Sequence, residues 1–162
     1  MQTKPDQSSQ KASTSKAMEA TAMLKADHQL ISTLFKEYEK AETKAAKKKI
    51  VSQICLELSI HAQIEEEIFY PGVKAVLKDK TLIPEAIVEH ATLKSLIAQV
   101  EGVEPDGEMF DAKIKVLDEY VTHHVKEEQE EMFPEAKASN LDMVALGEKM
   151  HARKQALLAE QA

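Results

Sequence analysis

The sequence predicts an all-α fold: an antiparallel up-down-up-down four-helix bundle followed by one additional C-terminal helix. Ala, Glu, Lys, Leu and Ile dominate the 162-residue chain, whereas glycine occurs only four times and tryptophan is absent, a composition typical of helices. Apolar residues also return at steps of three and four, the spacing that places side chains on one face of a helix. A chain of this length can bury a core without disulfides, so we expect one main domain.

The chain divides into a tail, the bundle and a last helix. Residues 1–16 are rich in Gln, Ser, Thr and Lys and lack apolar periodicity, so a disordered tail is expected there. The bundle is predicted over residues 17–138 and the additional helix over residues 139–162. We expect that last helix to pack either on the bundle or on a second subunit, and the second arrangement would make a homo-oligomer.

Two apolar stripes predict the first helical hairpin. Its first helix should begin near Ala17, and its second is expected over residues 45–70. Pro71 follows, and proline inside a helix removes a hydrogen bond and clashes with the preceding turn, so we expect the helix to end or kink there. The apolar stripe positions are Leu24, Ile31, Phe35 and Tyr38 on the first helix and Val51, Ile54, Leu58 and Ile68 on the second.

The second hairpin follows the same plan. A third helix should open near Pro84, a residue tolerated in a first turn, and residues 102–107, with a glycine at each end, predict a turn. The fourth helix should run from about Glu108 to about Pro134. Short connections make successive helices antiparallel neighbours, and four helices with one stripe each close into a bundle.

One metal-ligand pattern occurs twice on these stripes. Each copy is a His-x3-Glu pair followed by a proline and preceded, on the previous helix, by a lone histidine. Residues four apart share one face of a helix, so both copies should face the bundle axis. The candidate metal ligands are His28, His61, Glu65, His90, His124 and Glu128.

The two glutamates favour a metal over a purely structural role for these residues. A single histidine on a helix stripe is more often a core residue bonded to a backbone carbonyl. An unpaired carboxylate in a bundle interior, however, costs on the order of several kcal/mol, and Glu65 and Glu128 also lie towards helix C-termini, where the macrodipole disfavours negative charge. Imidazole and carboxylate donors suit iron or another first-row divalent ion, so the repeat predicts a two-metal site.

His123 competes with His124 for a place in this site. It precedes Glu128 by five residues, whereas His124 precedes it by four. We favour His124 because the internal repeat and the register of Leu117 and Val121 both select it. The nearby acidic residues fall off the stripes and are expected in solvent, although one could support the ligands; these are Glu66, Glu67, Glu127, Glu130 and Glu131.

This order of lone histidine, His-x3-Glu, lone histidine and His-x3-Glu resembles the hemerythrin-like, HHE cation-binding domain over about residues 20–135. The resemblance implies two iron ions in an oxo- or hydroxo-bridged non-haem centre. It further implies that the four histidines are terminal ligands and that Glu65 and Glu128 bridge the ions. Ferritin-like di-iron proteins, the nearest alternative, use Glu-x-x-His pairs, and no such pair lies on the four stripes.

Two departures argue against simple oxygen carriage. Oxygen-carrying hemerythrins have a fifth histidine four residues after the one on the third helix, where this chain has Lys94. Their last pair is spaced His-x4-acid, which only His123 with Glu128 would satisfy. We therefore expect a site that binds or reacts with O2, peroxide or NO in a sensing or weak redox role. Iron storage without turnover, a structural zinc or manganese site and a metal-free interaction bundle remain alternatives.

Charge and hydropathy exclude other classes of function. A net charge of -7 argues against nucleic acid, because phosphate binding needs a basic surface. No apolar run approaches the roughly 18 residues that cross a membrane, and the N-terminus lacks the hydrophobic stretch of a secretory signal. The single cysteine, Cys55, cannot form an internal disulfide and is expected to be buried. We therefore expect a cytoplasmic protein.

Overall fold

A computed structural model of the protein describes residues 18–161, and within that range the chain is helical without any strand. The all-α prediction is therefore confirmed, whereas the tail predicted for residues 1–16 lies outside the described residues. None of the described helices is both long and apolar enough to cross a membrane. The elements are α1 (Ala20–Lys40), α2 (Lys44–Ile64), a first π-helical segment (Glu65–Phe69), α3 (Tyr70–Val73), α4 (Leu82–Val100), α5 (Gly107–Glu127), a second π-helical segment (Glu128–Met132), α6 (Phe133–Ala138) and α7 (Met143–Glu160).

Two antiparallel hairpins form the predicted bundle. Helix α1 packs on α2 and α4 packs on α5, and contacts of α1 with α5 and of α2 with α4 close the four helices around one axis. The Thr43 side chain accepts a hydrogen bond from the N–H of Ala46, 3.1 Å away, and so caps α2 after a tight turn. Gly102 and Gly107 adopt φ values of 69° and 81° in the turn to α5, a region that glycine enters without strain.

The bundle core is split into two apolar clusters with the candidate ligands between them. Leu24 belongs to one cluster and Ile31 to the other, and His28 lies between these two positions on α1. On α4, Ala86 and Leu93 enclose His90 in the same way. The candidate ligands therefore form a polar layer that apolar side chains cover from above and below.

The helix that carries each His-x3-Glu pair continues past its proline, so the second helix does not end at Pro71, which was one of the two outcomes expected there. Proline clashes with the carbonyl four residues before it, and a π-helical turn precedes each proline at the equivalent place. In these turns the N–H of Tyr70 bonds to the carbonyl of Glu65, five residues back, and the N–H of Phe133 bonds to that of Glu128. The wider turn accommodates the proline ring, so the helical path extends to Val73 and to Ala138.

Helix α7 packs on the bundle of its own chain, the first of the two arrangements that the sequence left open. It lies against α1, α2 and the first π-helical segment, and its Met150 and Leu157 are buried. The approach is closest at Gly147, where a Cβ atom would overlap the carbonyl oxygen of Met18 and lie 3.0 Å from the nitrogen of Ala20. A residue without a side chain is therefore required at this crossing.

Replacing Gly147 by Ala should destabilise the fold by about 1–3 kcal/mol, the usual cost of overpacking, because the atoms it meets belong to the backbone and cannot turn away. Urea unfolding followed by circular dichroism measures the change. Gly72→Ala is the matched control, since its Cβ would meet only the flexible end of the Leu146 side chain, at 2.8 Å. Equal losses in the two variants would contradict the close crossing of α7.

Candidate metal centre

Six polar side chains form a layer across the bundle, and none of them is more than 6% exposed. Each is supplied by one of the four long helices or by the first residue of a π-helical segment. Burial to this degree is unusual for histidine and exceptional for glutamate unless a partner or an ion compensates the charge. The residues of this ligand layer are His28, His61, Glu65, His90, His124 and Glu128.

The four histidines turn their Nε2 atoms towards one another in two pairs. The Nε2 atoms of His28 and His61 are 3.1 Å apart, and those of His90 and His124 are 3.2 Å apart. Ligand nitrogens about 2.1 Å from a first-row ion, at right angles to each other, would be separated by about 3 Å. Each pair therefore has the spacing of two neighbouring ligands on one ion.

The two glutamates connect these pairs. One Oε1 atom of Glu65 lies 2.9 Å from Nε2 of His61 on its own helix and 3.4 Å from Nε2 of His90 on the other hairpin. Glu128 uses both of its oxygens: Oε2 lies 3.0 Å from Nε2 of His124 on its own helix, and Oε1 lies 3.4 Å from Nε2 of His28 on the other hairpin. Each carboxylate therefore reaches both pairs, as a bridge between two metal positions must.

Several donor atoms in the layer have no hydrogen-bond partner. Within residues 18–161, the buried side-chain atoms without one are both carboxylate oxygens of Glu65, Oε1 of Glu128 and Nδ1 of His90. The close approach of Glu65 to His61 does not change this, because that contact lacks hydrogen-bond geometry. A buried carboxylate without a partner is costly, and a cation among these oxygens and the facing nitrogens would compensate it. The donor set therefore fits a metal centre.

The charges of the layer also favour a cation. Burial lowers the pKa of His124, but Glu128 and Glu65 together raise it to about 9. Burial likewise lowers the pKa of His61, whereas Glu65 and Asp27 hold it well above its ordinary value. Although burial opposes it, His61 keeps the pKa of Glu65 well below the usual range. The Glu65 carboxylate therefore stays negative and attracts either protons on the imidazoles or a metal ion in their place.

The outer nitrogen of each histidine in a His-x3-Glu pair faces a carboxylate on the preceding helix. Nδ1 of His61 is 3.0 Å from Asp27, and Nδ1 of His124 is 3.3 Å from Glu89. Such carboxylates orient metal-binding imidazoles and increase their basicity. The sequence reasoning missed both residues. Their signal was an acidic residue directly before each lone histidine, repeated in both halves of the chain.

The residue that follows each glutamate of the layer lies beside the outer nitrogen of a lone histidine. Nδ1 of His28 is 2.9 Å from Oε1 of Gln129. The equivalent residue, Glu66, is 3.7 Å from Nδ1 of His90, which is too long for a hydrogen bond. Glu66 had been expected in solvent or in support of the ligands, and it lies beside the layer.

Tyr70 adds a hydroxyl that the sequence did not predict. This side chain is 2% exposed, and its hydroxyl donates to Oε2 of Glu128 at 2.7 Å and lies 3.3 Å from Nε2 of His90. Burial and the neighbouring carboxylates hold its pKa well above the usual range, so it keeps its proton. The repeat aligns Tyr70 with Phe133, whose ring stacks on His28 with centroids 6.0 Å apart. At this position the two halves of the layer therefore differ by one hydroxyl.

The comparison with known families agrees with this geometry. The sequence profile of the hemerythrin HHE cation binding domain matches residues 19–136. The chain belongs to this family. A crystal structure of an HHE cation binding domain-containing protein from Mycobacterium kansasii superposes with a TM-score of 0.77 at 24% identity, and the match covers 88% of this chain and 89% of that one. At this identity the likeness concerns the fold.

A curated relative of this HHE protein is larger. It is a DNA nickase from Nostoc sp. (strain PCC 7120), which is 26% identical over 111 residues. The match covers 68% of this chain but 31% of the nickase. Most of the nickase therefore has no counterpart in this chain.

Two residues that the sequence had weighed lie outside the ligand layer of this HHE domain. His123 is 65% exposed and pairs with Glu127 at 3.2 Å, whereas its neighbour His124 faces the layer. Lys94 points outwards and holds Glu66 at 2.8 Å. The ligand layer therefore holds four histidines, and the Tyr70 hydroxyl lies beside them.

Proposed function

We propose that this HHE-family chain is a non-haem di-iron protein that binds or reacts with O2, peroxide or NO in a sensing or weak redox role. The observation that carries the proposal is the ligand layer itself. Two pairs of imidazole nitrogens face each other across carboxylate oxygens that lack hydrogen-bond partners. This is a buried donor set for two neighbouring cations.

The residues divide into two equivalent halves around the carboxylates. One ion would be held by His28, His61 and Glu128, and the other by His90, His124, Glu65 and Glu128. Glu65 also lies 2.9 Å from Nε2 of His61. Mixed imidazole and carboxylate donors suit first-row ions such as iron. When bound, a pair of irons supplies the ability to exchange electrons with a small oxidant.

Residues around the layer supply binding, water exclusion and a proton. The apolar clusters above and below keep bulk water away from the donors, which strengthens electrostatic interactions inside. Tyr70 presents a protonated hydroxyl beside His90 and Glu128. A small ligand in the layer would therefore meet a hydrogen-bond donor at the second hairpin and the apolar ring of Phe133 at the first.

We do not extend the nickase activity of the Nostoc relative to this chain. The shared region covers 31% of that protein, and a net charge of -7 opposes binding to a phosphate backbone. The proposed partner is therefore a small molecule. We also propose a cytoplasmic location.

The reaction of the reduced protein with O2 tests the proposal. Four imidazoles, two bridging carboxylates and a solvent-derived bridge would supply about ten of the roughly twelve bonds of two octahedral ions, so about two positions would stay open to exchange. We expect anaerobically reduced protein mixed with air-saturated buffer to be oxidised, without a coloured species that removal of O2 reverses. Stopped-flow absorption follows the change, with peroxide and NO as parallel reactants.

Two results of this experiment would contradict the proposal. A stable coloured species that forms with O2 and disappears when O2 is removed would favour oxygen carriage. Inertness towards O2, peroxide and NO in a protein that still contains iron would favour iron storage, and a protein that contains zinc would favour a structural metal.

A further inference from the structure

A second group of cation-binding side chains lies on the outer surface of the second hairpin. Glu89 on α4 and His123 and Glu127 on α5 each place one donor atom within 4.8 Å of the others. His123 is exposed, whereas the two glutamates are partly buried. These three residues form the outer group, which is separate from the ligand layer.

The outer group is connected to the ligand layer by a side-chain contact and by a narrow cleft. Glu89 belongs to the outer group and also contacts Nδ1 of His124. The cleft between α4 and α5 is lined by Glu85, Glu89 and Glu127 and also by His124 and Glu128 of the ligand layer. Glu128 is 2% exposed, and its Oε1 has no hydrogen-bond partner. The cleft therefore brings surface carboxylates next to two residues of the ligand layer.

In the first hairpin, the place that corresponds to the outer group is covered by α7. There the carboxylate that orients a histidine is Asp27, and its second oxygen is 2.7 Å from the ammonium of Lys154 on α7. The residues that the repeat aligns with His123 and Glu127 are Ile60 and Ile64, which are buried under α7. The first hairpin thus holds a cation of its own chain at this place, whereas the second presents an imidazole and a carboxylate.

We propose that the outer group is a divalent-cation site that captures an ion at the surface and passes it along the cleft to the ligand layer. The transfer step depends on the proposed function of that layer, whereas capture depends on the outer group alone. One imidazole and two carboxylates select a first-row divalent ion such as Fe²⁺ or Mn²⁺. With three protein ligands at an exposed place, we expect weak binding, with a Kd on the order of 10⁻⁴ M, similar to that of the weakest carboxylate-built Ca²⁺ sites. Weak binding allows the ion to leave the outer group for the ligand layer.

Mn²⁺ binding to the iron-loaded, full-length chain tests capture. The electron paramagnetic resonance signal of free Mn²⁺ falls as the ion binds, so a titration counts sites beyond those filled with iron. We expect one additional weak site in the wild type and its loss in the double variant His123→Ala/Glu127→Gln. His151→Ala/Glu148→Gln is the matched control, because it removes the same two groups from exposed positions on α7 and should leave the site intact.

The rate of iron loading tests transfer. Protein stripped of metal and mixed anaerobically with Fe²⁺ should fill several-fold more slowly in the outer-group variant, with the same final iron content. Mn²⁺ binding that is absent, or unchanged by the variant, in a chain that holds its full iron would overturn the outer site alone. Loss of the Mn²⁺ site with an unchanged loading rate would overturn the transfer step. A wild-type chain that takes up no iron would overturn the proposed function of the layer instead.

Discussion

Protein expressed with ample iron should contain two iron ions per chain, and removal of the metal should lower the melting temperature by on the order of 10 °C. Ligands that bind only the native state stabilise it, by about 4 kcal/mol when the free ion is at a thousand times its Kd. For a chain of this size about 1 kcal/mol corresponds to roughly 2–4 °C. The cause is the ligand layer, where the carboxylate oxygens of Glu65 lack partners at 0% exposure.

Elemental analysis and an absorption spectrum of protein purified without added metal measure the first part of this prediction, since oxo-bridged ferric pairs absorb in the near ultraviolet and zinc does not. Scanning calorimetry with and without a chelator measures the second. The double variant Glu65→Gln/Glu128→Gln is the control, because it removes the charge that a cation compensates and should melt at one temperature in both conditions. One zinc per chain, or no metal after expression with iron, would contradict the prediction.

The four-helix architecture and the inward-facing histidines follow from periodicity. A stripe of apolar residues must be buried, and short turns make neighbouring helices antiparallel, so a polar residue on the stripe has to face the interior. His28 and His90 were placed in this way, each between apolar positions that belong to different clusters. Burial of the stripe thus carries most of the information about the fold.

The π-helical turns left no comparable signal in the apolar spacing of the sequence. A π-helical turn inserts one residue into the hydrogen-bond ladder without changing the composition of the segment, so the turns at Glu65–Phe69 and Glu128–Met132 could not be read from apolar spacing. The prolines after them were the available sign, and they were taken for helix ends or kinks. Both turns begin at a glutamate of the ligand layer, and they place the next residue beside the lone histidine of the other hairpin.

Contacts between distant segments were equally out of reach. Lys154 and Asp27 are far apart in sequence yet 2.7 Å apart in the structure, and a lysine on an amphipathic helix carries no mark of its partner. Tyr70 could have been found, because the internal repeat aligns it with a phenylalanine. A hydroxyl that is present in one half of a symmetric layer distinguishes the two halves chemically, although their ligands are equivalent.

Replacing His124 by Ala should release iron or bleach the spectrum, whereas His123→Ala should leave the final iron content and the spectrum intact. His124 is 4% exposed and its Nε2 faces His90 and Glu128, while His123 points to solvent. Removing a side chain that only orients a metal ligand lowers metal affinity roughly 10–100-fold. Removing the ligand itself should therefore lower the affinity at least as much. Iron content after dialysis measures the effect, and far-ultraviolet circular dichroism verifies folding.

The two halves of the repeat supply the remaining controls for this experiment. His61→Ala and Glu65→Ala should lose iron as His124→Ala and Glu128→Ala do, because each His-x3-Glu pair occupies the same place in its hairpin. The glutamate of each pair also lies 3.4 Å from the lone histidine of the opposite hairpin. Iron loss from His123→Ala but not from His124→Ala would mean that the five-residue spacing to Glu128 is the true one. A marked asymmetry between the halves would contradict equivalent ligation, and the Tyr70 hydroxyl would then be the first difference to remove, by Tyr70→Phe.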